Sequence, residues 1–262
     1  MIPEHIFPPK GIGSLEETMD RREEFLSEIM ENILLPYESS KEYEEEIIGE
    51  FENRFEEDYF DHFSESLERD GLVLDLACGD GRHTLKLSEK AVHVIALDIS
   101  INNLRKAKEK CKAKENITFI KGDMFALPFP ESTFDGIWLS QAFEYVPPDR
   151  RQEFLSSIAR ILKPEGLLYM SVETWIYPSI WKSLRELLRD LKLFCYWKFL
   201  KRKPLLWGEF LYYLSPEMGW HYHVHTDKWT LCRLLHRYGF MIEKISLYNG
   251  YIYVLCYKAT RK

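Results

Sequence analysis

From Leu72 onward, short and almost uninterrupted apolar runs alternate with segments of helical periodicity, and this rhythm restricts the chain to very few folds. The runs at 72–77, 92–97, 117–121, 134–139 and 166–172 lack the in–out alternation of a half-exposed strand. They read instead as strands covered on both faces, which is the environment of a parallel sheet. Between them, 81–89, 101–113 and 149–162 carry helical patterns. Strand–helix alternation with short connections predicts an α/β fold, a doubly wound, mostly parallel sheet with right-handed crossovers. An interruption at about 174–219 precedes a further helix at 227–238 and two last strands, 240–247 and 251–257. Asn249-Gly250 between those strands favours a tight reversal, so an antiparallel C-terminal hairpin at the sheet edge is expected, for seven strands in all.

Upstream the pattern is helical. Ser14 and Glu17 have capping-box spacing ahead of a helix over 15–34, and Ser39 with Glu42 repeats it ahead of one over 41–69. The expected organisation is an N-terminal helical extension, 1–70, and one α/β domain, 71–262, with a helical lid insertion at about 174–219. A chain of 262 residues, 45% apolar, suits one core domain with additions. The net charge of −7 is uneven: residues 1–70 hold 22 acidic and 6 basic side chains, a net −16, leaving +9 for the rest. Charge runs of this kind usually mark solvated faces.

Five scattered cysteines, never paired at metal-ligand spacing, suggest a reduced compartment and no structural zinc. No basic-then-apolar leader opens the chain, and its best apolar run, 191–200, is broken by Lys192 and Lys198. A cytoplasmic protein without a transmembrane segment is expected.

In open α/β sheets, ligands lie beyond the carboxyl ends of the strands. There the first strand turns through Asp75, Ala77, Cys78, Gly79, Asp80 and Gly81, the second ends at Asp98-Ile99, and the third at Asp123-Met124. Small residues allow a sharp turn against a ligand, an acid after the second strand can accept from both ribose hydroxyls, and one after the third can accept from an adenine amine. Any single one of these acids could be a helix cap. A nicotinamide dinucleotide fits poorly, because Thr84 occupies the third glycine position and Asp75 would repel a pyrophosphate. A cationic, phosphate-free nucleoside fits better.

With these motifs the sequence resembles the class I S-adenosylmethionine-dependent methyltransferases. Val73 to Gly81 looks like their first motif, Gly122 to Phe129 like the adenine-binding segment, and Ile161 to Leu168 like the turn into the fifth strand. The resemblance implies a Rossmann-like domain that binds S-adenosyl-L-methionine. Asp75 through Gly81 would hold its methionine part, with Ser140 beside it. Asp98 would hold the ribose, Ile99 would pack on adenine, and Asp123 with Met124 would read the adenine edge. Two departures stand out. Ala77 replaces the usual first glycine, and Glu144-Tyr145-Val146 replaces a Glu-His-Val common among small-molecule enzymes.

Transfer from a sulfonium is chiefly a matter of alignment, whereas an oxygen or thiol acceptor also needs a base. Candidates are Glu144, Tyr145, Glu173, His221, His223 and His225. The three histidines alternate and would share one face of a strand. With no carboxylate close in sequence, they read as exposed or hydrogen-bonded strand histidines, or as one acceptor-side base, ahead of a metal site. The insertion is rich in aromatics, and residues 182–203 hold eight basic and two acidic side chains. A lid over a small apolar or aromatic acceptor is the favoured reading. A membrane-surface helix and an RNA-facing patch share its composition. The end of the fourth strand, Leu139-Ser-Gln-Ala142, lacks the Asn/Asp-Pro-Pro-aromatic motif of enzymes that methylate base amines. The tail His221 to Thr226 resembles enzymes that esterify carboxymethylated wobble uridines in tRNA. A nucleic-acid partner therefore stays possible, as does a non-catalytic cofactor- or partner-binding module. The oligomeric state is open.

Overall fold

The computed structural model describes residues 15–31, 54–67, 71–91, 93–215 and 219–260. Among the described residues two helices, α1 (Leu15–Ile29) and α2 (Arg54–Ser66), precede the α/β region. There β1 (Leu72–Leu76), α3 (Arg82–Leu87), β2 (His93–Asp98), α4 (Ile101–Lys110), β3 (Ile117–Lys121), β4 (Phe134–Leu139), α5 (Arg151–Ile161) and β5 (Leu162–Glu173) follow in turn. An insertion carries α6 (Ile180–Cys195), β6 (Glu209–Ser215) and β7 (Gly219–Val224); α7 (Lys228–Arg237), β8 (Phe240–Tyr248) and β9 (Tyr251–Lys258) complete the chain.

Seven strands form one sheet in the order β3-β2-β1-β4-β5-β9-β8. The first five are parallel; β9 inserts antiparallel beside β5 and pairs with β8, which becomes the edge. The expected hairpin is present, with Asn249 and Gly250 both at positive φ in its turn.

Both faces of the sheet are covered, which is why the strands could be so uniformly apolar. On one face, Phe154, Leu155 and Ile158 of α5 and Leu231 and Leu235 of α7 pack on Leu74, Ile137 and Leu168. On the other, Tyr59, Phe60 and Phe63 of α2 pack on Trp138 and Tyr169, whose rings stack at 3.7 Å. Burying each such aromatic contributes about 2–3 kcal/mol. A Cβ at Gly136 would sit 2.6 Å from the Phe63 ring, so glycine there admits the helix to the sheet. The described aromatics of the second helix, Tyr59, Phe60 and Phe63, are thus core. Residues 32–53, including Ser39 and Glu42, and residue Ser14 lie outside the described residues, so the helix over 41–69 is seen only as α2.

The insertion differs from expectation. Only its first part is helical, α6 followed by a π turn over Tyr196–Leu200. Further on among the described residues comes an antiparallel ribbon, β6 on β7, reaching to Val224. The ribbon gains its core from α1: Phe25 and Ile29 meet Trp197, Leu205, Leu211 and Tyr222. Beside that contact, Arg22 donates to both oxygens of Glu209 (2.9 and 2.5 Å) and of Asp149 (2.9 and 2.8 Å). The acidic extension and the basic insertion are joined at these points, a partnership across 187 residues. No helix among the described residues is long and apolar enough to cross a membrane.

Candidate functional site

Strand order reverses between β1 and β4, and a cleft opens at their carboxyl ends, the position such sheets reserve for ligands. The turn after β1 is bent by positive φ at Ala77 (57°), Gly79 (53°) and Gly81 (83°). Gly79 has nothing within 4 Å of where a Cβ would stand, so its backbone faces open space. Gly81 does a different job. A Cβ there would sit 2.7 Å from that of Ala107, so glycine lets α3 start against α4.

Hydrogen bonds tie the strand tips together. The Gly79 N–H donates to Asp98 Oδ2 and the Ser100 N–H to Asp98 Oδ1, each at 2.8 Å. Asp75, 2% exposed, accepts from the Thr84 hydroxyl at 2.5 Å. Burial pushes the Asp75 carboxyl up to about 7, with Asp98 adding like-charge repulsion and Thr84 pulling the other way. Asp98 is raised too, by burial, against the pull of its two amide donors. Asp123 caps its own turn through the Phe125 N–H at 2.9 Å. Asp80 pairs with Lys110. The Cys78 thiol is driven well up by burial and by Asp75 and Asp98, which leaves it unreactive.

Asp75, Ala77, Cys78, Gly79, Asp80, Asp98, Ile99, Asp123, Met124 and Ser140 all line this one cleft. Gly81, packed on α4, does not. The chain also brings Met30, Arg82, His83, Gln141 and Phe125 to the lining, and the sequence reading missed them. Glu56 of α2 escaped it as well. Glu56 accepts from Ser140 Oγ (2.5 Å), the Tyr169 hydroxyl (3.0 Å) and Arg82 (3.2 Å), with His83 at 3.5 Å. Burial acts to raise its carboxyl, but His83, Arg82 and Ser140 outweigh that and hold it at about 2. No local signal marks Glu56, because its partners lie 26 residues away and beyond.

Near-buried acids, left-handed bends and an apolar wall of Leu97, Ile99, Met124 and Phe125 fit a positively charged nucleoside. A pyrophosphate would meet Asp75 and Asp98.

Among the acceptor-side candidates, only Tyr145 lines the cleft. Glu144 is buried behind it, its carboxyl raised well above the ordinary range by burial and by Glu173. His221, His223 and His225 do not line the cleft. They gather around Glu173, at the end of β5: His223 Nδ1 is 2.5 Å and His225 Nε2 3.3 Å from Glu173 Oε2. Thr226 N–H donates to the Glu173 carbonyl at 3.0 Å, which pins β7 to that strand end. The expectation that no carboxylate stands near the histidines is therefore corrected: sequence distance concealed Glu173, and also Asp190, 3.0 Å from His225 Nδ1. His223 Nε2 meets His221 Nε2. Tyr145 joins cluster and cleft, its ring 5.4 Å from that of His223 and 6.0 Å from that of His221.

Known proteins are similar to this chain in sequence and fold. The family described as a methyltransferase domain matches residues 73–166. An uncharacterized methyltransferase of Synechocystis is 30% identical over 178 residues, which is 68% of this chain and 70% of that protein. A demethylmenaquinone methyltransferase of Lactococcus lactis is 41% identical over 99 residues. That alignment spans 36% of this chain and only 38% of the relative's length. Among solved structures, a protein of Pyrococcus horikoshii superposes with TM-score 0.59 at 25% identity, over 85% of this chain and 93% of that one. A methyltransferase of Methanosarcina mazei that depends on S-adenosylmethionine reaches TM-score 0.63 over 78% and 98%, at 20% identity, a likeness of fold.

Proposed function

Since the chain belongs to the class I S-adenosylmethionine-dependent methyltransferases, we propose that it methylates a small, largely apolar or aromatic acceptor. The observation that carries this reading is the meeting of Asp75, Asp98 and Asp123, from three neighbouring strand tips, in one cleft. The cofactor supplies a methyl group already activated on a sulfonium. Asp75 and the bend from Ala77 to Gly79 would hold its methionine end, Asp98 its ribose, and Ile99, Asp123 and Met124 its adenine. The protein's work is then to place the acceptor in line and to keep water out.

Support for the acceptor class comes from the rest of the lining. Met30, Gln141, Ala142 and Tyr145 belong to it, so one residue after α1 and the segment after β4 present a mostly apolar surface. The L. lactis relative is named for a quinone acceptor, and an apolar aromatic ring is compatible with this surface.

The test is transfer of a labelled methyl group. Purified protein, labelled cofactor and an organic-solvent extract of cells should give a labelled, solvent-soluble product. Label appearing solely in RNA or protein fractions would contradict the proposed acceptor class.

A further inference from the structure

Behind Tyr145, Glu173, His223 and His225 bring one carboxylate oxygen and two ring nitrogens within 4.8 Å of one another. We infer that these three residues form a binding site for a first-row divalent cation, of which zinc is the representative. This site lies outside the cofactor cleft and does not depend on how the acceptor is read.

The donor set comes first. Two imidazoles and one carboxylate are ligands that zinc and its neighbours accept, whereas magnesium and calcium favour oxygen alone. The spacing agrees. Ligands about 2.1 Å from a tetrahedral ion stand about 3.4 Å apart, and His225 Nε2 is 3.3 Å from Glu173 Oε2. His223 Nδ1 is nearer, at 2.5 Å, so its ring would move out by less than 1 Å to share an ion. Three protein ligands leave a fourth position for water or an acceptor oxygen.

The orientation of the contacts points the same way. Glu173 Oε2 and His223 Nδ1 are buried and close, yet no aligned hydrogen bond joins them to each other or to another described group. Both atoms thus keep an unused lone-pair or proton direction, and a cation between them would give each of them a ligand bond.

The surroundings hold the ligands in place. His225 Nδ1 lies 3.0 Å from Asp190 Oδ2, within reach of the carboxylate partner that metal-bound histidines commonly have though not yet aligned with it, and Nε2 is the nitrogen that faces Glu173. Asp190 is itself fully buried and fixed by Trp175 Nε1 (3.1 Å) and Arg189 Nε (2.8 Å). Trp175 and Phe210 pack against the His225 ring, Tyr145 and Tyr212 against His223. Rotamers locked in this way pre-organise a site.

The test uses the full chain, stripped with a chelator, dialysed against zinc and measured by elemental analysis and calorimetry. One zinc per chain is expected, with little response to magnesium. His225→Ala and Glu173→Gln should each weaken binding at least tenfold, and Asp190→Asn by about 10- to 100-fold. His62→Ala, on an exposed histidine paired with Glu243, should change nothing. Cobalt in place of zinc should give the visible bands of a low-coordinate nitrogen–oxygen site, a readout that does not require the variants to fold. Absence of saturable zinc uptake by the unaltered chain, or uptake unchanged in both His225→Ala and Glu173→Gln, would overturn the site.

Discussion

The Thr84 hydroxyl donates to Asp75 Oδ2 at 2.5 Å across the turn that begins the cofactor cleft. Thr84 stands where a dinucleotide fold would have its third glycine, and here it serves a carboxylate instead.

Through that pair, cofactor binding should depend on pH. Asp75 has a folded pKa of about 7, above the ordinary value of 3.8, so the folded state holds the proton through this window. Stability of the free protein from this group is therefore greatest below pH 4 and declines as pH rises towards 7, by on the order of a few kcal/mol. A cationic ligand favours the ionised form. The thermal shift caused by S-adenosylmethionine should be larger at pH 8 than at pH 6, and Thr84→Val should move that rise to higher pH. A shift independent of pH would separate Asp75 from the ligand's charge.

Glu56 gives the opposite sign. Its folded pKa of about 2 lies below the unfolded value near 4.3, so its contribution is present above that value and lost as pH falls towards 2. Glu56→Gln should destabilise by about 1–3 kcal/mol in urea titrations, since the buried carboxylate that accepts from Ser140, Tyr169 and Arg82 becomes a neutral amide. It should also flatten the acid limb of the stability profile.

Ala77 sits at φ 57°, where a side chain costs about 1–2 kcal/mol and glycine costs only its extra chain entropy. Ala77→Gly should leave stability unchanged or raise it by up to about 1 kcal/mol, read as melting temperature. A loss above about 1 kcal/mol would show that the methyl group makes a packing contribution.

Arg22 fastens α1 to the insertion through Glu209, which is fully buried. Arg22→Ala removes that carboxylate's paired cation, leaving the Tyr222 hydroxyl (2.6 Å) and the Leu206 N–H (2.5 Å) as its donors, and about 3 kcal/mol should be lost. Because Met30 follows α1 into the cleft wall, cofactor affinity should fall as well, and limited proteolysis should cut near α1 sooner.

What the sequence disclosed and what it hid follow one physical division. Strand runs, helix periodicity and the Asn249-Gly250 turn are local, and they matched the sheet from β1 to β9. The acids at three strand tips were legible because topology alone carries strand ends to one edge. The ribbon β6–β7 was not: its aromatics read as a lid helix, since the partner that makes it a packed strand pair is α1, far away in the chain. Glu56 beside Ser140 and Glu173 beside His223 were hidden for the same reason. Glu144 shows the converse, a candidate base by position that folding turns into the interior.

The central claim is that this cleft takes up a cationic adenosine. Calorimetric titration of the protein with S-adenosylmethionine at pH 8 tests it most directly, beside the Asp98→Ala variant. One site per chain, with binding reduced at least tenfold in the variant, is the predicted result; no heat of binding, or an affinity indifferent to Asp98, would contradict it.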